Sequence, residues 1–215
     1  MPLIIACLSQ KGGVGKSTLA RLIARTYAAA GWSVKIADFN TRQNTASDWV
    51  EYRDRNGVEP KILAQSYVQP TALKRETVDL VVADGRPDSD QTSLDVARMA
   101  QLVVLPTGLS GDDLKPQLLF AHELVAKGVA KEKILFVLNK TIESELAVRE
   151  ARTLITDRTG YRLCQQDLSV RTGYQMAQNN GRAVSETDYA SLNDKADALA
   201  AEIVDRVTEL EGATA

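Results

Sequence analysis

Apolar residues come in short runs along this chain, and between the runs they switch to helical spacing. Residues 3–8 (LIIACL) are apolar and followed by glycines, which predicts a buried strand. Residues 16–30 place Leu19, Leu22, Ile23 and Tyr27 on one stripe, and Gly31 closes the predicted helix. A second strand is predicted over 33–38, ending in Asp38. The alternation continues with strands over 77–84, 101–106 and 133–139, and a short edge strand over 161–164. Helical stretches are predicted around 42–55, 92–99, 112–127 and 143–158. At 191–210, Leu192, Leu199, Ile203, Val207 and Leu210 form one stripe of an amphipathic helix.

Strands buried on both faces and alternating with helices predict an α/β fold: a doubly wound, mostly parallel sheet with helices on both faces. Ligands in such folds bind at the carboxyl ends of the strands. Three candidates fall there: the loop after the first strand, Asp38, and Asp84 at the end of VVAD. No stretch reads as a linker, so one domain over 1–215 is expected.

Composition narrows the picture modestly. The 215 residues carry 26 Lys and Arg against 28 Asp and Glu, a net charge of -2. Bulk charge therefore draws the chain to neither nucleic acid nor membrane, and any such binding has to come from a local patch. Cys7 and Cys164 lie far apart without metal spacing. Cys7 sits in an apolar run and reads as a small buried hydrophobe, which suits a reducing cytoplasm. The apolar start is too short for a signal peptide or a membrane span. A cytoplasmic protein without a membrane partner is expected.

The strongest chemical signal is QKGGVGKST at 10–18. Gly12, Gly13 and Gly15 let backbone N–H groups turn inward around phosphate oxygens, with Val14 between them. The following helix adds its positive N-terminal end. Lys16 is placed to reach β- and γ-phosphates, Ser17 to ligate Mg²⁺ through its hydroxyl, and Thr18 to support the α-phosphate. Asp84 and Asp38 are candidates to hold Mg²⁺ at the same sheet edge. Lys11 is extra. It precedes the glycines, so its side chain need not follow Lys16 inward and is free to stabilise charge on a neighbouring nucleotide.

KGGVGKST (11–18) resembles the deviant Walker A motif of the ParA/MinD superfamily, and Lys11 falls on its signature lysine. That resemblance implies a P-loop ATPase in which ATP and Mg²⁺ drive a sandwich homodimer, each signature lysine reaching the partner's phosphates. VKIADFNTRQNTASDW (34–49), VDLVVADG (78–85), LVVLPTGLSGDDLKPQLLFAHEL (102–124) and NNGRAVSET (179–187) resemble segments of small ParA-type plasmid partition proteins. A MinD-type membrane anchor is not expected, because the last helix ends in Glu209, Glu211 and GATA without a basic face. In related folds the base sits against later loops, which makes Asn139 a candidate adenine contact, with Pro106 and Thr107 lining the same side. One departure stands out. The family pattern after the second strand is Asp-x-Asp-Pro-Gln, but this chain has Asn40 where the second aspartate belongs. An amide orients water but cannot accept its proton as a carboxylate does. Weak basal hydrolysis is therefore expected, with Lys11, Lys16, Asp38 and Asn40 as the candidate catalytic set.

Small partition ATPases bind DNA without sequence preference once dimeric, and release it when a ParB-like centromere-binding protein stimulates hydrolysis. Such binding needs cations over phosphates. Residues 149–182 hold six arginines against Glu150, Asp157 and Asp167. Arg149, Arg152, Arg158, Arg171 and Arg182 are the candidate DNA contacts, with nucleoid association the implied localisation. His122, mid-helix, is expected to be structural. The same resemblance leaves two other readings: an ATPase that positions a protein cargo, and a nucleotide-switch regulator with negligible turnover.

Overall fold

The computed structural model describes residues 1–41, 45–87, 90–142 and 144–213. Its strands are β1 (Leu3–Ser9), β2 (Val34–Asp38), β3 (Leu63–Ser66), β4 (Leu80–Pro87), β5 (Leu102–Thr107), β6 (Ile134–Thr141), β7 (Arg162–Leu163) and β8 (Leu168–Ser169). The helices are α1 (Lys16–Ala29), α2 (Thr45–Arg55), α3 (Gln91–Met99), α4 (Gly111–Ala126), α5 (Glu145–Thr156), α6 (Thr172–Asn179) and α7 (Ala190–Gly212). The predicted helix starts at 42 and 143, and the turn residues 42–44, lie outside the described residues.

One sheet runs in the order β3-β2-β4-β1-β5-β6-β7, with β8 pairing to β6. Every described strand pair is parallel. β1 lies near the centre, and all seven of its residues are buried. Its side chains alternate between two cores. Leu3, Ile5 and Cys7 join the core under α1, α2, α6 and α7, while Ile4, Ala6 and Leu8 join the core under α3, α4 and α5. A strand covered on both faces has no polar side to show, which is why it reads as a continuous apolar run.

Helix starts follow local capping chemistry. The side chains of Asp90, Ser110 and Ser144 accept backbone N–H bonds from Ser93, Asp113 and Ala147. α1 has no such cap: Gly15, at φ 107°, turns the chain directly from the glycine loop into the helix. The predicted edge strand at 161–164 shortens to the two residues of β7, and it does lie at the sheet edge. β3 and α6 were not predicted. β3 is four residues with exposed and half-buried side chains, and α6 buries Tyr174 and Ala177 alone. Neither leaves a strong periodic signal.

Candidate nucleotide-binding site

Parallel strands all end at one edge of the sheet, and the site is built there. Ser9 closes β1 and cradles the start of the loop. Its hydroxyl accepts the Lys11 N–H at 3.0 Å and donates to the Lys11 carbonyl at 3.2 Å. Lys16 Nζ reaches back to that same carbonyl at 3.2 Å. Lys16 is 7% exposed, and burial lowers its pKa against the opposing pull of Asp84. The buried cation is thus fixed inside the loop, while the residues from Lys11 to Gly13 are exposed at its mouth.

Asp38 and Asp84 stand opposite each other in register at the ends of β2 and β4. Both are buried. Their environments differ. Asp38 Oδ1 accepts the Asn40 N–H at 2.8 Å, and Oδ2 accepts the Ala46 N–H at 3.0 Å. One carboxylate therefore ties the turn after β2 to the first residues of α2. Asp84 receives a hydrogen bond from the Ser17 hydroxyl, but its Oδ1 is buried without a partner. A buried carboxylate oxygen left unpaired is costly. Burial, with Asp38 adding to it, raises the Asp84 pKa to about 6. Such an oxygen beside a serine hydroxyl and a lysine is suited to a divalent cation. Among the described residues no cluster of three or more His, Cys, Asp or Glu side chains is arranged to hold a metal. Magnesium at a nucleotide needs less, because phosphate oxygens and waters complete its shell.

The raised Asp84 pKa carries a pH prediction. Its ionised form is penalised in the folded state, so stability falls as pH rises through about 4 to 6. Asp84→Asn removes that penalty. The variant should melt a few degrees above wild type at pH 7.5, with the gap closing near pH 4. A variant less stable than wild type at pH 7.5 contradicts this account.

Asn139 also serves the loop. Its Nδ2 donates to the Val14 carbonyl at 2.7 Å, and the residue is 3% exposed. The amide braces the glycine turn from β6. It also borders two cavities. One, of about 310 Å³, lies at the loop mouth beside Gly12, Gly13, Ser110, Asp113 and Lys140. The other, of about 180 Å³, lies beyond Thr18 against Leu168, Val170, Arg171 and Tyr174. Pro106 is buried within β5, and at that edge Gly108, Leu109 and Ser110 line the first cavity instead. Lys11 Nζ forms an ion pair with Asp113 at 2.5 Å, a partner 102 residues away that sequence reasoning did not foresee. Arg21, on the second turn of α1, was missed too. It donates to the Thr45 carbonyl at 3.0 Å and stacks over Trp49 at 5.4 Å.

The arginines do not lie on one helix face. Arg149 and Arg158 are exposed on and just after α5, whose apolar side packs with α3 and α4. Arg152, on the same helix, donates to the carbonyls of Cys164 and Gln165. Arg171 and Arg182 flank α6, which packs on the opposite face of the sheet. Arg182 pairs with Asp188 at 3.1 Å. His122 is exposed and meets the edge of Tyr161 at 5.4 Å between ring centroids.

The sequence pattern of the CobQ/CobB/MinD/ParA nucleotide-binding domain (CbiA) matches residues 5–181. The chain belongs to this family. No curated protein sequence matches it. Among solved structures, it is similar to a protein of Borrelia burgdorferi described as a plasmid partition protein and bound to AMPPNP. The TM-score is 0.72 at 17% identity, with all of both chains covered. It is similar to the septum site-determining protein MinD of Pyrococcus horikoshii complexed with Mg-ADP, at TM-score 0.74 and 17% identity, covering 94% of this chain and 96% of that one. McdA of Cyanothece, in complex with ATP, gives 0.73 at 15% identity, covering 94% and 96%. At such identities these likenesses speak to the fold, which is that of the ParA/MinD P-loop nucleotide-binding proteins. Among the described residues no helix is long and apolar enough to cross a membrane.

Proposed function

We propose that the protein is an ATP-dependent DNA partition ATPase. The observation that carries the reading is the division of labour between two lysines five residues apart. Lys16 is buried and bonded inside its own loop, while Lys11 stands exposed at the loop mouth. A cation at the mouth is suited to a nucleotide held by a second copy. ATP binding then brings two protomers face to face, and each Lys11 contacts the partner's phosphates.

Within each protomer, the loop N–H groups and Lys16 hold the β- and γ-phosphates, and Thr18 supports the α-phosphate. Ser17 and Asp84 would hold Mg²⁺, which would supply positive charge against the phosphates. Asp38 fixes the turn that carries Asn40. Asn40 orients water without taking its proton, so turnover by the isolated protein is slow. A ParB-like partner stimulates hydrolysis and so resets the dimer. The AMPPNP, Mg-ADP and ATP complexes of the structural neighbours support the nucleotide assignment. The MinD and McdA likenesses keep a second reading in view: the same ATP-driven cycle acting on a protein cargo.

Double-stranded DNA of random sequence tests the cargo. With ATP and Mg²⁺ the protein should bind it, and with ADP it should not. Arg149 and Arg158, exposed on and just after α5, number four in a dimer and predict that log K falls against log[salt] with a slope of about -4 or steeper. Replacing both with alanine removes four cations from the dimer and should flatten that slope by about three to four units. Binding that ignores nucleotide, or a flat salt response, contradicts the partition reading and favours a protein cargo.

A further inference from the structure

β7 and β8 both pair with β6, and between them the chain leaves that strand over 164–167 and returns. Backbone groups turned away from a sheet need partners elsewhere. Here two side chains from different helices supply them. Arg152, on α5, donates to the Cys164 carbonyl at 3.0 Å and to the Gln165 carbonyl. Glu202, on α7, accepts the Gln165 N–H at 2.6 Å and the Gln166 N–H at 2.8 Å. The return is fastened as well. Asp167 Oδ2 accepts the Thr141 hydroxyl at 2.5 Å, and the Val170 N–H donates to the Thr141 carbonyl at 3.0 Å. A guanidinium on two carbonyls and a carboxylate on two N–H groups make charge-assisted bonds, stronger than neutral ones. α5 and α7 pack on opposite faces of the sheet, so the clamp closes on this edge from both sides.

The clamped stretch leads straight into the wall of a cavity. Leu168 and Val170 line the space of about 180 Å³ beyond Thr18, with Tyr174 and Val184 as further apolar walls and Asn139 and Gln175 as polar groups. Thr18 follows directly on the glycine loop, Lys16 and Ser17. A nucleotide whose phosphates lie in the loop extends its base toward this cavity, and an apolar slot with a few amides suits a flat heteroaromatic ring. We propose that Arg152 and Glu202 are positioning residues for the base end of the nucleotide. They touch neither base nor phosphate and act through the 164–167 backbone. The inference rests on the reading of the glycine loop as the site of ATP. It gives Arg152 a role other than the DNA contact that its place in the sequence suggested. The loop holds the phosphates without the clamp, and the clamp sets how well the base is gripped.

Calorimetric titration with AMPPNP and with tripolyphosphate, each with Mg²⁺, separates the two ends of the ligand, because tripolyphosphate has no base. Wild type, Arg152→Ala and Glu202→Gln are compared. Losing charge-assisted hydrogen bonds to the 164–167 backbone should weaken AMPPNP about tenfold in either variant, while tripolyphosphate binds within about twofold of wild type. Arg152→Lys keeps the charge but not the fork that spans two carbonyls. It serves if the alanine variant misfolds, with an expected loss of about threefold for AMPPNP alone. Equal weakening of both ligands overturns the assignment, because a general loss of structure moves them together. AMPPNP binding unchanged in the variants overturns it too. If wild type binds AMPPNP no tighter than tripolyphosphate, the base makes no contact for the clamp to serve, and this inference alone falls. If wild type binds neither ligand, the reading of the loop as an ATP site falls and takes this inference with it.

Discussion

Gly15→Ala is expected to weaken nucleotide binding about a hundredfold, through strain of the loop and loss of its brace. Gly15 sits at φ 107°, a backbone region that a side chain strains. An added Cβ would also stand 1.6 Å from Asn139 Nδ2, the group that donates to the Val14 carbonyl. The glycine and the asparagine therefore define each other's position, and the methyl would push Asn139 off the loop. Gly13 gives the contrast. It has φ 78°, but nothing lies within 4 Å of an added Cβ. Gly13→Ala should suffer the backbone strain alone, with a loss of about tenfold. Titration of both variants with AMPPNP checks the order. Gly15→Ala binding as tightly as Gly13→Ala would mean that Asn139 does not brace the loop.

The largest expected effect on stability lies away from the site. Arg53 is fully buried. Its guanidinium donates to both carboxylate oxygens of Glu186, at 2.7 and 2.9 Å, and to the carbonyls of Gly181 and Pro60, each at 3.0 Å. Trp49 stacks against it at 5.4 Å, with Arg21 also over the indole at 5.4 Å. Gly181 is required for the close approach of the two backbones, since a Cβ there would lie 2.2 Å from the Arg53 backbone nitrogen. Arg53→Ala leaves Glu186 half-buried with Arg25, at 3.4 Å, as its remaining cation. Breaking a buried pair from one side costs roughly 3–5 kcal/mol, or about 10 °C in melting temperature for a chain of this size. Arg55, two residues on, pairs with exposed Glu51, and its loss should cost under about 0.5 kcal/mol. Thermal melts of the two alanine variants decide the point, and equal small shifts would contradict the role given to Arg53.

The sequence revealed most where local pattern and tertiary placement coincide. β1, β4, β5 and β6 are covered on both faces, so their burial shows as apolar runs, and β2 follows them apart from the half-buried Lys35. Asp38 and Asp84 ended two of those runs, and parallel strands bring such ends together, which made their convergence legible. Lys16 and Ser17 were legible because the glycine turn and the start of α1 are contiguous in sequence. β3 was hidden because Leu63 is 54% exposed and its neighbours are polar. Asp113 read as a residue of a predicted helix, and no local pattern reports a lysine 102 positions away. Asn139 was marked by its place at a strand end, but its bond to Val14 depends on how β6 lies relative to β1 with β5 between them. The arginines show the same limit. Their excess was visible as a count, whereas their division between the two faces follows from the chain crossing the sheet between α5 and α6.

The central claim is that ATP joins two copies through Lys11. Sedimentation velocity of the purified protein with Mg²⁺ and ADP, then with ATP, for wild type and Lys11→Ala, tests it most directly. The predicted result is a monomer with ADP, a dimer with ATP, and a monomer under both conditions for Lys11→Ala. A wild type that stays monomeric with ATP, or a Lys11→Ala variant that dimerises as wild type does, would contradict the claim.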